Sequence, residues 1–296
     1  MTYARHGLPD DFDTIARMPS WVTSVRAETL EDGAFLSGSA LSHLHHVLSR
    51  DDVPHSLLRE RLALRAAEAC VTHVGRPERA RELRDAMAFL QPGDEPGPAG
   101  EVYLACRRAV ERQVSVKSLR RALADLEPDQ IAEWLEAGKG APVLRSAAVL
   151  EAVLGDRPRD FTSALLLADA AFAQALGWSH VLPLLALGLK RSDLRKTGEE
   201  LRLACHRATG TAAAEVTREA ADLARRAARL KEVAPKLRAR GSDEAVAHFL
   251  ARDSIAPTAL TSLRSDRAAR RFCDRLVELG VVRELTGRDT FRLYGI

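Results

Sequence analysis

From residue 161 to residue 189 the chain reads "FTSALLLADAAFAQALGW" and then "VLPLLALGL", with Asp169 its one carboxylate. A helix that is apolar around its whole circumference persists in water only when neighbours cover every side. These two segments therefore predict a buried centre, and the remaining chain must supply the elements that wrap it. Composition says what those elements are. Aromatic residues make up 5% of the 296 residues while alanine, leucine and arginine dominate, which favours closely packed helices over sheets. The length allows two domains, and a net charge of +3 is too small to argue for nucleic acid without local clustering.

Periodicity places the wrapping helices. One follows Asp32 as its cap, with Leu36, Ala40, Leu41, Leu44 and Leu48 on one face, and another covers 55–74 and stops at Gly75. Pro77 opens a third, and further helices are expected over 116–126, 128–137, 143–154, 161–176 and 180–189. Residues 1–30 read as an irregular arm, with Gly7, Pro9 and Pro19 as breakers and Trp21 as an anchor. Residues 91–100 hold three prolines and three glycines and are expected to form an ordered turn, neither helix nor strand. The body is thus assigned to 31–209.

From Gly210 the pattern changes. Val216, Ala220, Leu223, Ala227, Leu230, Ala234 and Leu237 alternate by four and three, a heptad seam on a long connecting helix over 210–241 that Pro235 ends or kinks. Such a seam serves either a homodimer through 216–234 or packing on the chain's own body. With about three heptads, the second is favoured.

Residues 242–296 read as a winged helix-turn-helix. Ser242 caps a first helix, Pro257 opens a short second one to Leu263, and Ser265 caps a third that ends at Gly280. In the third helix Ala269, Phe272, Cys273, Leu276 and Leu279 form a buried stripe opposite Arg267, Arg270, Arg271, Asp274 and Glu278. The closing stretch alternates Phe291 and Leu293 with Arg292 and Tyr294 around a Gly287 turn, as a two-stranded hairpin does. The fold class expected is all-α, mainly a helical bundle, with this small unit at its end.

The charge sorting of the third helix suggests double-stranded DNA as partner. Recognition helices touch DNA mainly through N-terminal residues, and arginine forks are the usual readers of guanine. Arg267, Arg270 and Arg271 would make groove contacts, Arg264 and Arg275 backbone contacts, and Arg288 a contact from the tip of the wing. The alternative is an assembly module that docks a protein partner through the same unit.

Catalytic signatures are absent from the sequence: it has no phosphate-binding loop, dinucleotide fingerprint, zinc-protease helix or nucleophile elbow. Gly138-Lys139-Gly140 lacks the preceding strand and reads as a helix-ending turn. His43 and His46 share a helix face without a third metal ligand, and adjacent Cys205 and His206 point to different faces. Cys70, Cys106, Cys205 and Cys273 are scattered singly, as small buried hydrophobes of a reducing compartment. Neither a leader nor an apolar run of membrane-spanning length is present in the sequence. The expectation is a cytoplasmic, non-enzymatic protein without metal, cofactor or membrane contact.

The segments "RLALRAAEACVTHVGRPE", "PGDEPGPAGEVYLACRRA", "LGWSHVLPLLALGL" and above all "SDRAARRFCDRLVELGVVRELTGRDTFRLYGI" resemble a bacterial family catalogued as domain of unknown function 1403. The resemblance spans nearly the whole chain. It implies an alphaproteobacterial protein, often from plasmid-rich genomes, and supplies no catalytic residues. The closing hairpin is also similar to the end of another helical family from the same bacteria, one that carries a helix-turn-helix.

Overall fold

The computed structural model describes residues 15–91, 93–237, 239–288 and 290–296. Within these, thirteen helices and one two-stranded sheet surround a continuous apolar core. The part of the expected N-terminal arm that holds Gly7 and Pro9 lies outside the described residues. Its remainder contains a short helix α1 (Ser20–Thr23), whose Trp21 ring packs 5.7 Å from Phe35 and stays half exposed.

The wholly apolar segment is the centre. In α9 (Phe161–Ala175) Leu165, Leu166, Leu167 and Phe172 are inaccessible to solvent. Each such side chain contributes about 1.5–3 kcal/mol relative to exposure. Around α9 stand α8 (Pro142–Asp156), α7 (Pro128–Glu136), α5 (Gly97–Glu111) and α3 (His55–His73). A second layer pairs α2 (Leu30–Leu48) with α11 (Gly198–Val233), the longest helix at 36 residues. The shorter α4 (Ala80–Ala88) and α6 (Val116–Ala122) flank α5. The segment expected as a helix over 180–189 is helical only as α10 (Leu184–Gly188), because Pro183 fixes its entry.

α10 begins without a cap of its own, and Asp169 of α9 supplies one. Its two carboxyl oxygens accept from the N–H groups of Leu185 (2.8 Å) and Ala186 (3.2 Å). Asp169 is fully buried, and burial pushes its pKa up to about 8, against the opposing pull of these N–H donors. At Gly188 the backbone of α10 passes so close to α11 that an added Cβ would lie 2.4 Å from the Ala208 carbonyl oxygen, so only glycine fits.

Several boundaries depart from expectation for reasons the structure makes plain. Asp32 is not the cap of α2; Thr29 is, accepting from Asp32 N–H while the Asp32 carboxylate accepts from Thr29 N–H, a capping box. The helix expected from Pro77 starts at Ala80, where Glu82 binds back to Arg79 N–H. The turn assigned to 91–100 is shorter, because Gly97 and Pro98 already open α5, where a first-turn proline is tolerated. α11 starts twelve residues before Gly210, its first N–H held by Glu151 of α8 at 3.0 Å, so the connecting helix of 210–241 is the second half of a longer one.

The heptad seam lies inside this chain. Val216, Ala220, Leu223, Ala227 and Leu230 are at most 1% exposed, so this seam packs on the chain's own body, the favoured of its two readings. No helix among the described residues is long and apolar enough to cross a membrane.

Candidate nucleic-acid interface

After α11 the chain turns through Pro235 into α12 (Ser242–Ala251). Ser242 is the first helical residue, not the cap. Gly241 caps the helix with φ 86°, and an added Cβ there would lie 2.3 Å from the Ser262 carbonyl oxygen. Ser262 in turn donates to the Gly241 carbonyl at 3.0 Å. This tie helps to explain why the second helix expected over 257–263 is reduced to one 3-10 turn, Pro257–Ala259. Leu260 leaves the helical region, and Thr261 and Ser262 have weak helix propensity.

α13 (Asp266–Glu278) follows the expected pattern closely. Ser265 accepts from Ala268 N–H at 3.3 Å, and Gly280, at φ 68°, lies just beyond the helix. Ala269, Phe272, Cys273 and Leu276 are buried, and Leu279 is partly buried. Beyond it β1 (Arg283–Glu284) pairs antiparallel with β2 (Tyr294–Gly295), and Ile255 forms a further antiparallel bridge to Tyr294. The strands are shorter than expected and their alternation fails. Leu293 and Tyr294 are both buried, while Phe291 adopts φ 57° and is 70% exposed.

The unit is clamped to the body by charge. Arg61 of α3 donates to Asp253 (2.7 Å), to Glu219 of α11 (2.9 Å) and to the Ile296 carbonyl (3.1 Å). Next to it Glu60 accepts from Arg107 of α5 (3.1 Å), Arg252 (2.5 Å) and Asp253 N–H (3.1 Å). Burial works against the Arg61 charge, but Asp253 and Glu219 more than offset it and hold its pKa above the usual value. Arg84, beside α4's Asp85, reaches the Leu285 carbonyl at 3.2 Å. Sequence reasoning missed this clamp entirely. Its partners lie up to 235 residues apart, and no local pattern links them.

Six arginines were expected at the interface. Arg267, Arg270 and Arg271 stand at spacings of three and four on the N-terminal half of α13, on its solvent side. Like Arg264 just before the helix, they are exposed and meet no carboxylate among the described residues. By contrast Arg61, Arg65, Arg84, Arg107 and Arg252 are all ion-paired. Arg275 pairs with Glu278 at 3.0 Å, both largely exposed, so this contact exchanges readily with water or another anion. Arg288 departs from the placement expected of it. Its guanidinium lies 6.0 Å over the ring of Phe89, beside the Phe89–Phe291 edge-to-face pair at 5.6 Å, so the turn rests against the end of α4.

The other chemical groups singled out in the sequence serve the fold. His43 binds the Ala16 carbonyl, His45 accepts from the Trp178 indole and His206 pairs with Ser37. Among the described residues no three His, Cys, Asp or Glu side chains come together as a metal site. All four cysteines are free and buried, and burial pushes the Cys205 and Cys273 thiols up to about 12, far from reactive thiolates.

The fold is thus that of a helical protein with a helix–turn–helix–hairpin sequence of elements docked at its C-terminal end. Residues 7–296 match the family described as "Protein of unknown function (DUF1403)", and the chain belongs to that family. No curated protein matches the chain.

Proposed function

We propose that this protein binds double-stranded DNA without catalysing a reaction on it, and that residues 242–296 work as a winged helix held by the helical body. The observation that carries this reading is the trio Arg267, Arg270 and Arg271, clustered on one helix, exposed and free of carboxylate partners among the described residues, whereas Arg61, Arg65, Arg84 and Arg107 of the body are ion-paired. The order of elements supports it: helix, bridged segment, turn, helix, antiparallel hairpin. On this reading α13 enters the major groove with its N-terminal half, and the helix dipole adds positive potential there. Arg264 and Arg275 hold phosphates to either side. Arg288 reaches the backbone from its place over Phe89. A part in transcriptional regulation or in plasmid or chromosome maintenance follows from such a unit.

A hydrogen-exchange footprint of the full chain with and without saturating duplex tests this. Slowed exchange is expected over 264–275, with α9 unchanged. Protection confined to the body, or none anywhere under conditions where duplex is bound, would sink the assignment of α13 as the contact element.

A further inference from the structure

A second concentration of unpaired positive charge lies on the body, where the chain passes from α5 into α6. There a cavity of about 410 Å³ is lined by Arg112, Lys117, Arg121 and His180, with Glu111 the one carboxylate among the described residues of its wall. The side chains of Arg112, Lys117 and Arg121 form no hydrogen bond or ion pair among the described residues. The wall is fixed in place. Gln113 bridges to His180, Val114 N–H donates to the Ser179 carbonyl at 2.9 Å, and Ser118 donates to the Gln113 carbonyl at 2.8 Å. The hydroxyls of Ser115 and Ser118 are spent on capping α6, so the cations are what remains to meet a ligand.

Two further observations bear on the charge of this region. The Nε of Arg59, on α3, is buried without an acceptor among the described residues, while its Nη2 donates to Ser56; that side chain lies outside the first cavity's wall and lines a smaller one of about 170 Å³ that shares Glu111. His180 is held below its usual pKa by burial first and then by the charge of Arg59 and His55. The volume is that of a small-molecule site. Among the described residues no Phe, Tyr or Trp lines it.

We propose that this cavity binds a small phosphate-bearing anion, held by Arg112, Lys117, Arg121 and His180. Guanidinium forks suit the tetrahedral oxygens of such a group, and charge-assisted bonds are the strong ones.

The test is calorimetric titration of the full chain with inorganic pyrophosphate, with glycerol 3-phosphate in parallel to tell a free polyphosphate from a phosphate ester. Saturable binding at one site is expected for one of them, and the tighter ligand names the source. R112A and R121A should each weaken it about tenfold, as the loss of one charge-assisted fork does. K139A, outside the cavity wall, should leave it unchanged. All three positions are exposed, so the melting temperature should stay at the parent value. Absence of saturation with both ligands, or R112A and R121A titrating like the parent, would overturn the proposal. If instead these variants weaken duplex binding while neither small anion saturates, the cavity is a DNA-backbone contact and the proposal fails.

Discussion

Arg61→Ala is expected to lower the unfolding free energy by about 2–4 kcal/mol, a little under the roughly 3–5 kcal/mol for a fully buried pair losing one partner, because these side chains keep some exposure. The Arg61 side chain is 18% exposed, and its partners Asp253 and Glu219 are 10% and 23% exposed. Removing the guanidinium leaves the Asp253 and Glu219 carboxylates without the cation they share, Asp253 beside Glu60. Because Arg61 also holds the Ile296 carbonyl, the loss falls on the docking of the C-terminal unit. Urea denaturation followed by hydrogen exchange should therefore show α12, α13 and the hairpin opening before α9. A variant with unchanged midpoint and uniform exchange would show that the clamp is incidental to the docking.

Asp169→Ala is expected to cost more, about 3–5 kcal/mol at pH 6. It orphans the N–H groups of Leu185 and Ala186 in the centre of the core, each worth about 1–3 kcal/mol when left unsatisfied, and leaves a void besides. The carboxyl also sets a pH dependence of definite sign. Its folded pKa is raised to about 8, while the unfolded value is the ordinary one near 3.8. Between these values the unfolded chain has lost a proton that the folded chain keeps, so this group makes stability fall as pH rises from about 4 to about 8. Urea midpoints across that window should decline in the parent, and Asp169→Asn should remove this part of the decline. The opposite slope at Asp169 would mean that the backbone N–H donors hold the carboxylate ionised.

How much of this was legible in the sequence depends on where each cause resides. α9 and α13 were readable because their causes are local. An unbroken apolar surface demands burial, and Ser265, the apolar stripe and Gly280 bracket a single amphipathic helix. α11 was misread at its start because Glu151, in another helix, caps Gly198, and because Gly210 is tolerated inside a helix packed along its length. The heptad seam was readable as a buried face; what buries it was settled only by the packing of the chain on itself. The second helix of the C-terminal unit failed because Gly241 and Ser262, far apart in sequence, meet and shorten it. The arginine trio on α13 was found by spacing. The resting place of Arg288 on Phe89 was not, since the two lie nearly two hundred residues apart. The basic wall of the α5–α6 cavity was missed as well, because His180 joins it through a bridge that no local pattern announces.

The most direct measurement of the central claim is fluorescence anisotropy of labelled duplex DNA with the full chain across a salt series, repeated with Arg267, Arg270 and Arg271 replaced together by alanine. Each phosphate neutralised contributes about 0.9 to the slope of log affinity against log salt. The parent slope is expected to lie at about −3 to −6. The triple variant should bind about a hundredfold more weakly, with a slope shallower by about 3 and an unchanged melting temperature. No binding by the parent even at low salt, or a triple variant that binds like the parent, would contradict the claim and leave the C-terminal unit as a docking module for protein.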